Sequence, residues 1–158
     1  MNSSRRPRHF DSPRQETYLS LWRTYDQLRA IEEELFSRHD ITAQQYNTLR
    51  LLRGEHPDAV PTLELAGRLI SHAPDITRLL DKLEQRGLIQ RERPQENRRQ
   101  VLIRISQGGL DFLKELDEPV RACHDKQLGH LTPEQLEQLN ELLRLIRRRH
   151  EPEGSLWK

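Results

Sequence analysis

The side chains best suited to specific polar recognition lie between positions 71 and 104. Ser71, His72, Asp75, Thr77, Arg78 and Lys82 gather hydrogen-bond donors and acceptors around the expected start of a helix. A helix that enters the major groove of duplex DNA meets base edges with its first turns, and this is the chemistry it needs there. Asp75 has a second use at that position, stabilising the helix N-terminus through its dipole. Downstream, Arg86, Arg91, Arg93, Arg98, Arg99 and Arg104 are opposed only by Glu92 and Glu96, in a chain whose formal net charge is +1. The location of the charge is therefore informative where its total is not. Arg91, Arg93, Arg98 and Arg99 are candidate DNA contacts, with Arg98 and Arg99 favoured because arginines at a hairpin tip reach phosphates or a narrow minor groove.

Other chemistries find little support. Cys123 is the sole cysteine, so neither an internal disulfide nor a cysteine-cluster metal site can form, in keeping with a reducing compartment. Cys123 beside His124 invites a redox or metal reading, but a lone helical cysteine ordinarily packs as a small hydrophobe. The seven histidines include no i, i+4 pair, so a zinc site would have to assemble from distant segments. No glycine-rich phosphate loop, nucleophile elbow or paired catalytic constellation is present, and Gly108-Gly109 is read as backbone freedom at a turn. No enzymatic activity, cofactor or metal ion is expected. No apolar run is long enough for a membrane span, and the basic stretch 1–9 lacks a signal-type apolar region, which points to the cytoplasm.

The elements that must position these residues are mostly helical. Ser12/Gln15, Thr42/Gln45 and Thr132/Gln135 repeat a hydroxyl cap followed three residues later by glutamine, and Pro13 and Pro133 occupy first helical positions. The first helix, 13–38, places Tyr18, Trp22, Tyr25, Leu28, Ile31 and Leu35 on one stripe. The last carries Leu136, Leu139, Leu143 and Ile146 in the same manner, and a further long helix over about 106–129 contains Pro119, which should kink it. Between them, short helices at 62–70 and 74–86, the second stopped by Gly87, form a helix-turn-helix. Leu63, Leu65, Ala66, Leu69, Ile76, Leu79, Leu80 and Leu83 make its inner face; Asp75, Thr77, Arg78, Asp81 and Lys82 point outward. A β-hairpin follows over 88–105, its tip at 94–98, with Val101, Ile103 and Ile105 on the buried face. The fold class is mainly α with a small β-hairpin wing, long terminal helices flanking the winged helix-turn-helix.

The run Ile76-Thr77-Arg78-Leu79-Leu80-Asp81-Lys82-Leu83-Glu84-Gln85-Arg86-Gly87-Leu88-Ile89 resembles the recognition helix and start of the wing in the MarR family of transcriptional regulators. Asn97-Arg98-Arg99-Gln100-Val101 and Ser106-Gln107-Gly108-Gly109 resemble the wing tip and its exit. Helix order extends the likeness over roughly 13–150. The resemblance implies one domain over 1–158, in which 1–12 is an arm, 13–38 and 106–150 are dimerisation helices, and 42–105 is the winged head. It implies a homodimeric repressor on a pseudo-palindromic operator in double-stranded DNA, released by a small-molecule effector. Tyr18, Trp22, Tyr25, Leu136, Leu139, Leu143 and Ile146 are then dimer-interface candidates. Two departures stand out: Asn97 replaces the usual aspartate before the arginine pair, leaving Glu96 as its substitute, and the turn 71–73 lacks glycine. The alternatives are a winged-helix module that binds another protein, and a metal- or redox-responsive form of the regulator. Arg5, Arg6 and Arg8 of the arm would add nonspecific phosphate contacts.

Overall fold

The computed structural model describes residues 9–71, 75–155 and 157. The order is α1 (Pro13–Arg38), α2 (Ala43–Glu55), β1 (Val60–Pro61), α3 (Thr62–Arg68), α4 (Ile76–Gln85), β2 (Ile89–Glu92), β3 (Leu102–Ile105), α5 (Gln107–Leu128) and α6 (Pro133–Arg148). The arm's first eight residues, with Arg5, Arg6 and Arg8, lie outside the described residues, as do His72 and the rest of 72–74.

The expected caps form. Thr42 and Thr132 each accept a hydrogen bond from the backbone N–H of the glutamine three residues on, and Gln45 and Gln135 accept from the cap residue's own N–H in return. At α1, Ser12 accepts from Gln15 N, but the Gln15 amide reaches one residue further back, accepting from Asp11 N at 2.8 Å and donating to Asp11 Oδ2 at 2.9 Å. The aspartate offers the amide an acceptor as well as a donor, which the Ser12 backbone N–H alone does not.

α3 ends at Arg68, earlier than expected, and Leu63 is 88% exposed instead of lining the inner face. The buried positions of this helix side are Leu65 and Leu69, four apart, and Leu63 lies two residues from Leu65, about 200° round the helix. α4 keeps its inner face: Leu79, Leu80 and Leu83 are buried and Ile76 half-buried. It stops at Gly87, whose φ of +69° suits a residue without Cβ. Gly87 N donates to Glu84 O and Leu88 N to Leu83 O, a Schellman closure that buries Leu88 beside Leu83.

The hairpin strands β2 and β3 pair antiparallel with Ile89 opposite Ile105 and Arg91 opposite Ile103. β1 adds a third strand that the sequence pattern does not announce, giving the order β1-β3-β2. Its two residues pair Val60 with Ile103, and Thr62 extends the contact by donating from both N and Oγ1 to Val101 O at 3.0 Å. The core joins the sheet's inner face to the helices through Leu49, Leu52, Leu65, Leu80, Leu83, Ile89, Ile103, Leu113 and Leu116.

Helix α5 is capped by Ser106 and runs as one element through Pro119, where the missing N–H leaves the carbonyl four residues earlier without its helical donor. Gly109 serves close approach, not turn freedom: a Cβ there would sit 2.2 Å from Leu88 O. Ser106 Oγ donates to Gly87 O at 2.5 Å and Ser106 N to Leu88 O at 3.1 Å. The first turn of α5 is thus laid directly on the junction between α4 and β2. The whole is a winged helix-turn-helix flanked by long terminal helices, and no helix among the described residues is long and apolar enough to cross a membrane.

Candidate nucleic-acid interface

The N-terminal turn of α4 is organised by Asp75, whose Oδ1 accepts from Arg78 N at 2.9 Å. The carboxylate is therefore the helix cap, and it faces the positive end of the dipole. Thr77, Arg78 and Lys82 project from the same helix and are exposed. Ser71, exposed before the turn, accepts from Gln44 Nε2 at 3.0 Å, which ties the interhelical turn to the start of α2. Gln44 is absent from the sequence-derived candidates, and its position two residues after the Thr42 cap is the only signal that places it at this edge.

The six arginines of 86–104 divide by the partners they have found. Arg91 donates to Glu84 from Nε at 2.9 Å and from Nη2 at 2.5 Å, and also bonds Asp81. These bonds, that to Glu84 foremost, raise its pKa above the ordinary arginine range. Arg91 is thus a clamp between β2 and α4, and Asp81, expected to point away, is half-buried beneath it. Arg104 donates to Pro57 O at 2.9 Å and pairs with Glu92 at 3.3 Å. Arg86 is bonded to carbonyls of the α1–α2 corner. Arg93, Arg98 and Arg99 remain at the exposed tip.

The tip is shaped by Asn97. Its backbone N–H donates to Pro94 O at 3.2 Å, its carbonyl accepts from Gln100 N at 3.1 Å, and its side-chain oxygen accepts from Arg99 N at 3.3 Å. Arg93 Nη1 donates to Arg98 O at 3.2 Å across the base of the loop. Glu96 does not take the place of the family's aspartate: among the described residues it pairs with no arginine. Asn97 holds backbone instead of a guanidinium, and among the described residues Arg78, Lys82, Arg98 and Arg99 form no ion pair.

The terminal helices carry a second surface. Tyr18, Trp22 and Tyr25 are each more than 60% exposed, Tyr18 and Trp22 tilted against each other at 6.3 Å between ring centroids. α6 buries no residue: Leu136 and Leu143 are half-buried, Leu139 and Ile146 exposed, and Leu142 and Leu145, which the helical spacing did not single out, are more exposed still. Cys123 is buried on α5, where desolvation raises the thiol's pKa and suppresses the reactive thiolate. Among the described residues no group of histidine, cysteine and carboxylate side chains is arranged to hold a metal ion.

The family model for "MarR family" matches residues 41–101, from the residue before the Thr42 cap to the threshold of β3. A MarR transcription factor of known crystal structure from Planctomyces limnophilus is 56% identical, covering 87% of this chain and 99% of its own, with a TM-score of 0.70. This chain belongs to the MarR family. It is a MarR-family transcriptional regulator, not an enzyme. The transcriptional repressor MprA of Escherichia coli strain K12 is 26% identical over 144 residues, covering 90% of this chain and 82% of that protein. Sco3205, a MarR-family regulator of Streptomyces coelicolor solved in complex with DNA, shares the fold at a TM-score of 0.84 with 19% identity, covering 96% of each chain. The sequence located both α4 and the hairpin. It did not reveal that four of the six arginines are already engaged by the protein's own carbonyls and carboxylates.

Proposed function

We propose that this MarR-family regulator acts as a homodimeric repressor on a pseudo-palindromic operator, its two recognition helices entering successive major grooves. The observation that carries this reading is the sorting of the cations: Arg78 and Lys82 on α4, and Arg98 and Arg99 on the wing tip, are exposed and without ion-pair partners among the described residues. Thr77 adds a donor and acceptor beside Arg78, Ser71 adds a hydroxyl ahead of α4, and His72, outside the described residues, is kept as a contact on its sequence position alone. Arg93 supports the tip and contributes charge, Arg91 positions the wing, and Asp75 preorganises the helix start. Dimerisation is assigned to Tyr18, Trp22, Tyr25, Leu136, Leu139, Leu143 and Ile146, joined by Leu142 and Leu145, with 13–38 and 106–150 as the interlocking arms of one domain around the head at 42–105. A small ligand lodged between those arms and the head would favour a spacing of recognition helices that fits the operator poorly. The regulator then works in the cytoplasm, on the nucleoid.

The test is selection from a random duplex library by the purified protein at two salt concentrations, with sequencing of the bound fraction. Enrichment of a pseudo-palindrome with half-sites about one helical turn apart is expected, with affinity falling steeply as salt rises. Weak, salt-sensitive binding without enrichment, together with capture of a stoichiometric protein partner, would transfer the wing to protein recognition.

A further inference from the structure

Arg86 stands outside the reading surface, yet it touches three elements at once. It is the C-cap residue of α4. Its guanidinium donates to Asp40 O and, at 3.4 Å, to His39 O, both in the corner between α1 and α2. Its Cζ lies 5.2 Å from the centre of the Phe112 ring on α5, within the range of a cation–π contact. The corner is shaped to receive it: Asp40 adopts φ +51°, a left-handed conformation that short polar side chains tolerate. The adjoining Gly87 carbonyl is held by Ser106 at the start of α5. The far end of the recognition helix is thereby fastened to α1 and α5, the two long helices that carry the head.

Taking the dimeric operator-binding reading as its basis, we propose that Arg86 is a positioning residue that sets the lean of α4 and so the half-site spacing the dimer accepts. The lever arm makes small changes matter. Ten residues of helix span about 15 Å, so a tilt of about 10° about the Arg86 end displaces the reading turn by about 2.6 Å, most of the roughly 3.4 Å that separates base pairs. The buried leucines Leu79, Leu80 and Leu83 hold α4 onto the core, and Arg86 fixes its orientation there. Lysine cannot replace it, because a single ammonium lacks the planar fork that spans two carbonyls while stacking on a ring.

The experiment measures affinity of wild type, Arg86→Lys, Arg86→Ala and Phe112→Leu for the selected operator and for versions with one base pair inserted or removed at its centre, at several salt concentrations. Circular dichroism and sedimentation establish that each variant is folded and assembled like wild type. The expected result is a loss of about tenfold on the selected operator for both Arg86 variants, less discrimination against the respaced operators, a smaller change of the same kind for Phe112→Leu, and a salt slope equal to that of wild type. If Arg86→Lys matches wild type while Arg86→Ala lowers the salt slope by about one unit, Arg86 contacts phosphate and the positioning role is overturned. If every variant keeps the wild-type preference for spacing, the role is overturned as well. Failure of the wild-type protein to select paired half-sites refutes the operator reading itself, and the inference with it.

Discussion

Arg98 and Arg78 present the same guanidinium from different supports. Arg98 extends from a loop whose geometry is set by Asn97 and by the Arg93 bond to the Arg98 carbonyl, so its head is free to follow a phosphate or the minor groove. Arg78 projects from the first turn of a capped helix, with the directionality that base readout requires. Arg98→Ala is accordingly expected to weaken all duplexes alike and reduce the salt slope by about one unit, whereas Arg78→Ala costs about 1–3 kcal/mol on the operator and relaxes base preference. Binding isotherms on operator and scrambled duplexes over a salt series distinguish them; uniform loss in both variants contradicts the assignment of α4 to base readout. Glu32 of α1 supplies a different prediction. Burial raises its pKa, with His124 opposing the rise and Glu33 adding to it. A carboxyl whose folded pKa is raised favours folding in its neutral form, so this penalty begins above the ordinary value of about 4.3 and is complete once the pH exceeds the folded value. Glu32→Gln should therefore raise the thermal midpoint at pH 8 and lose that advantage below about pH 4; an advantage independent of pH would show that ionisation is not its origin.

At the level of elements, the local signals were legible and the long-range ones were not. A hydroxyl followed three residues later by glutamine is self-contained chemistry, and at Thr42 and Thr132 it marks helix starts that the structure realises in full. β1 is only two residues long and exists because β3 offers Ile103 and Leu102 as partners, information that does not reside near Val60. Leu63 looked like part of a leucine cluster, but a helix of seven residues presents one narrow face, which Leu65 occupies and Leu69 continues just past the helix end. The fate of the arginines was hidden for the same reason: Arg86 finds its acceptors 46 and 47 positions away, and Arg91 finds Asp81 across the gap between α4 and the wing. Gly109 shows how such junctions constrain sequence. Alanine there would meet the Leu88 carbonyl at 2.2 Å and the Ile105 side chain at 2.7 Å, while at Gly108 the nearest atom is Gly87 O at 3.0 Å. Backbone cannot yield as a side-chain tip can, so Gly109→Ala is expected to destabilise by roughly 2–4 kcal/mol in urea unfolding, Gly108→Ala by clearly less. Equal losses would mean that α5 shifts bodily to accommodate either.

Across the whole molecule the question is what holds α6 in place. It is 16 residues long and buries none of them, and an isolated helix of that length is marginal in water, since most helical stability comes from packing an apolar face. Leu139, Leu142, Leu145 and Ile146 expose such a face, and Tyr18, Trp22 and Tyr25 expose another on α1. With a net charge of +1, little long-range repulsion opposes the approach of two copies. A second copy covers both faces in the proposed dimer, which makes folding and association inseparable. The midpoint of thermal unfolding should then rise with protein concentration. Leu142→Glu places a carboxylate on the apolar stripe, where a partner would have to desolvate it; the expected result is a species of half the wild-type mass in sedimentation, reduced helicity, and loss of operator binding together with loss of preference for paired half-sites. A wild-type protein that sediments as a monomer at micromolar concentration with α6 fully helical would remove the dimer, and the two-half-site operator would go with it.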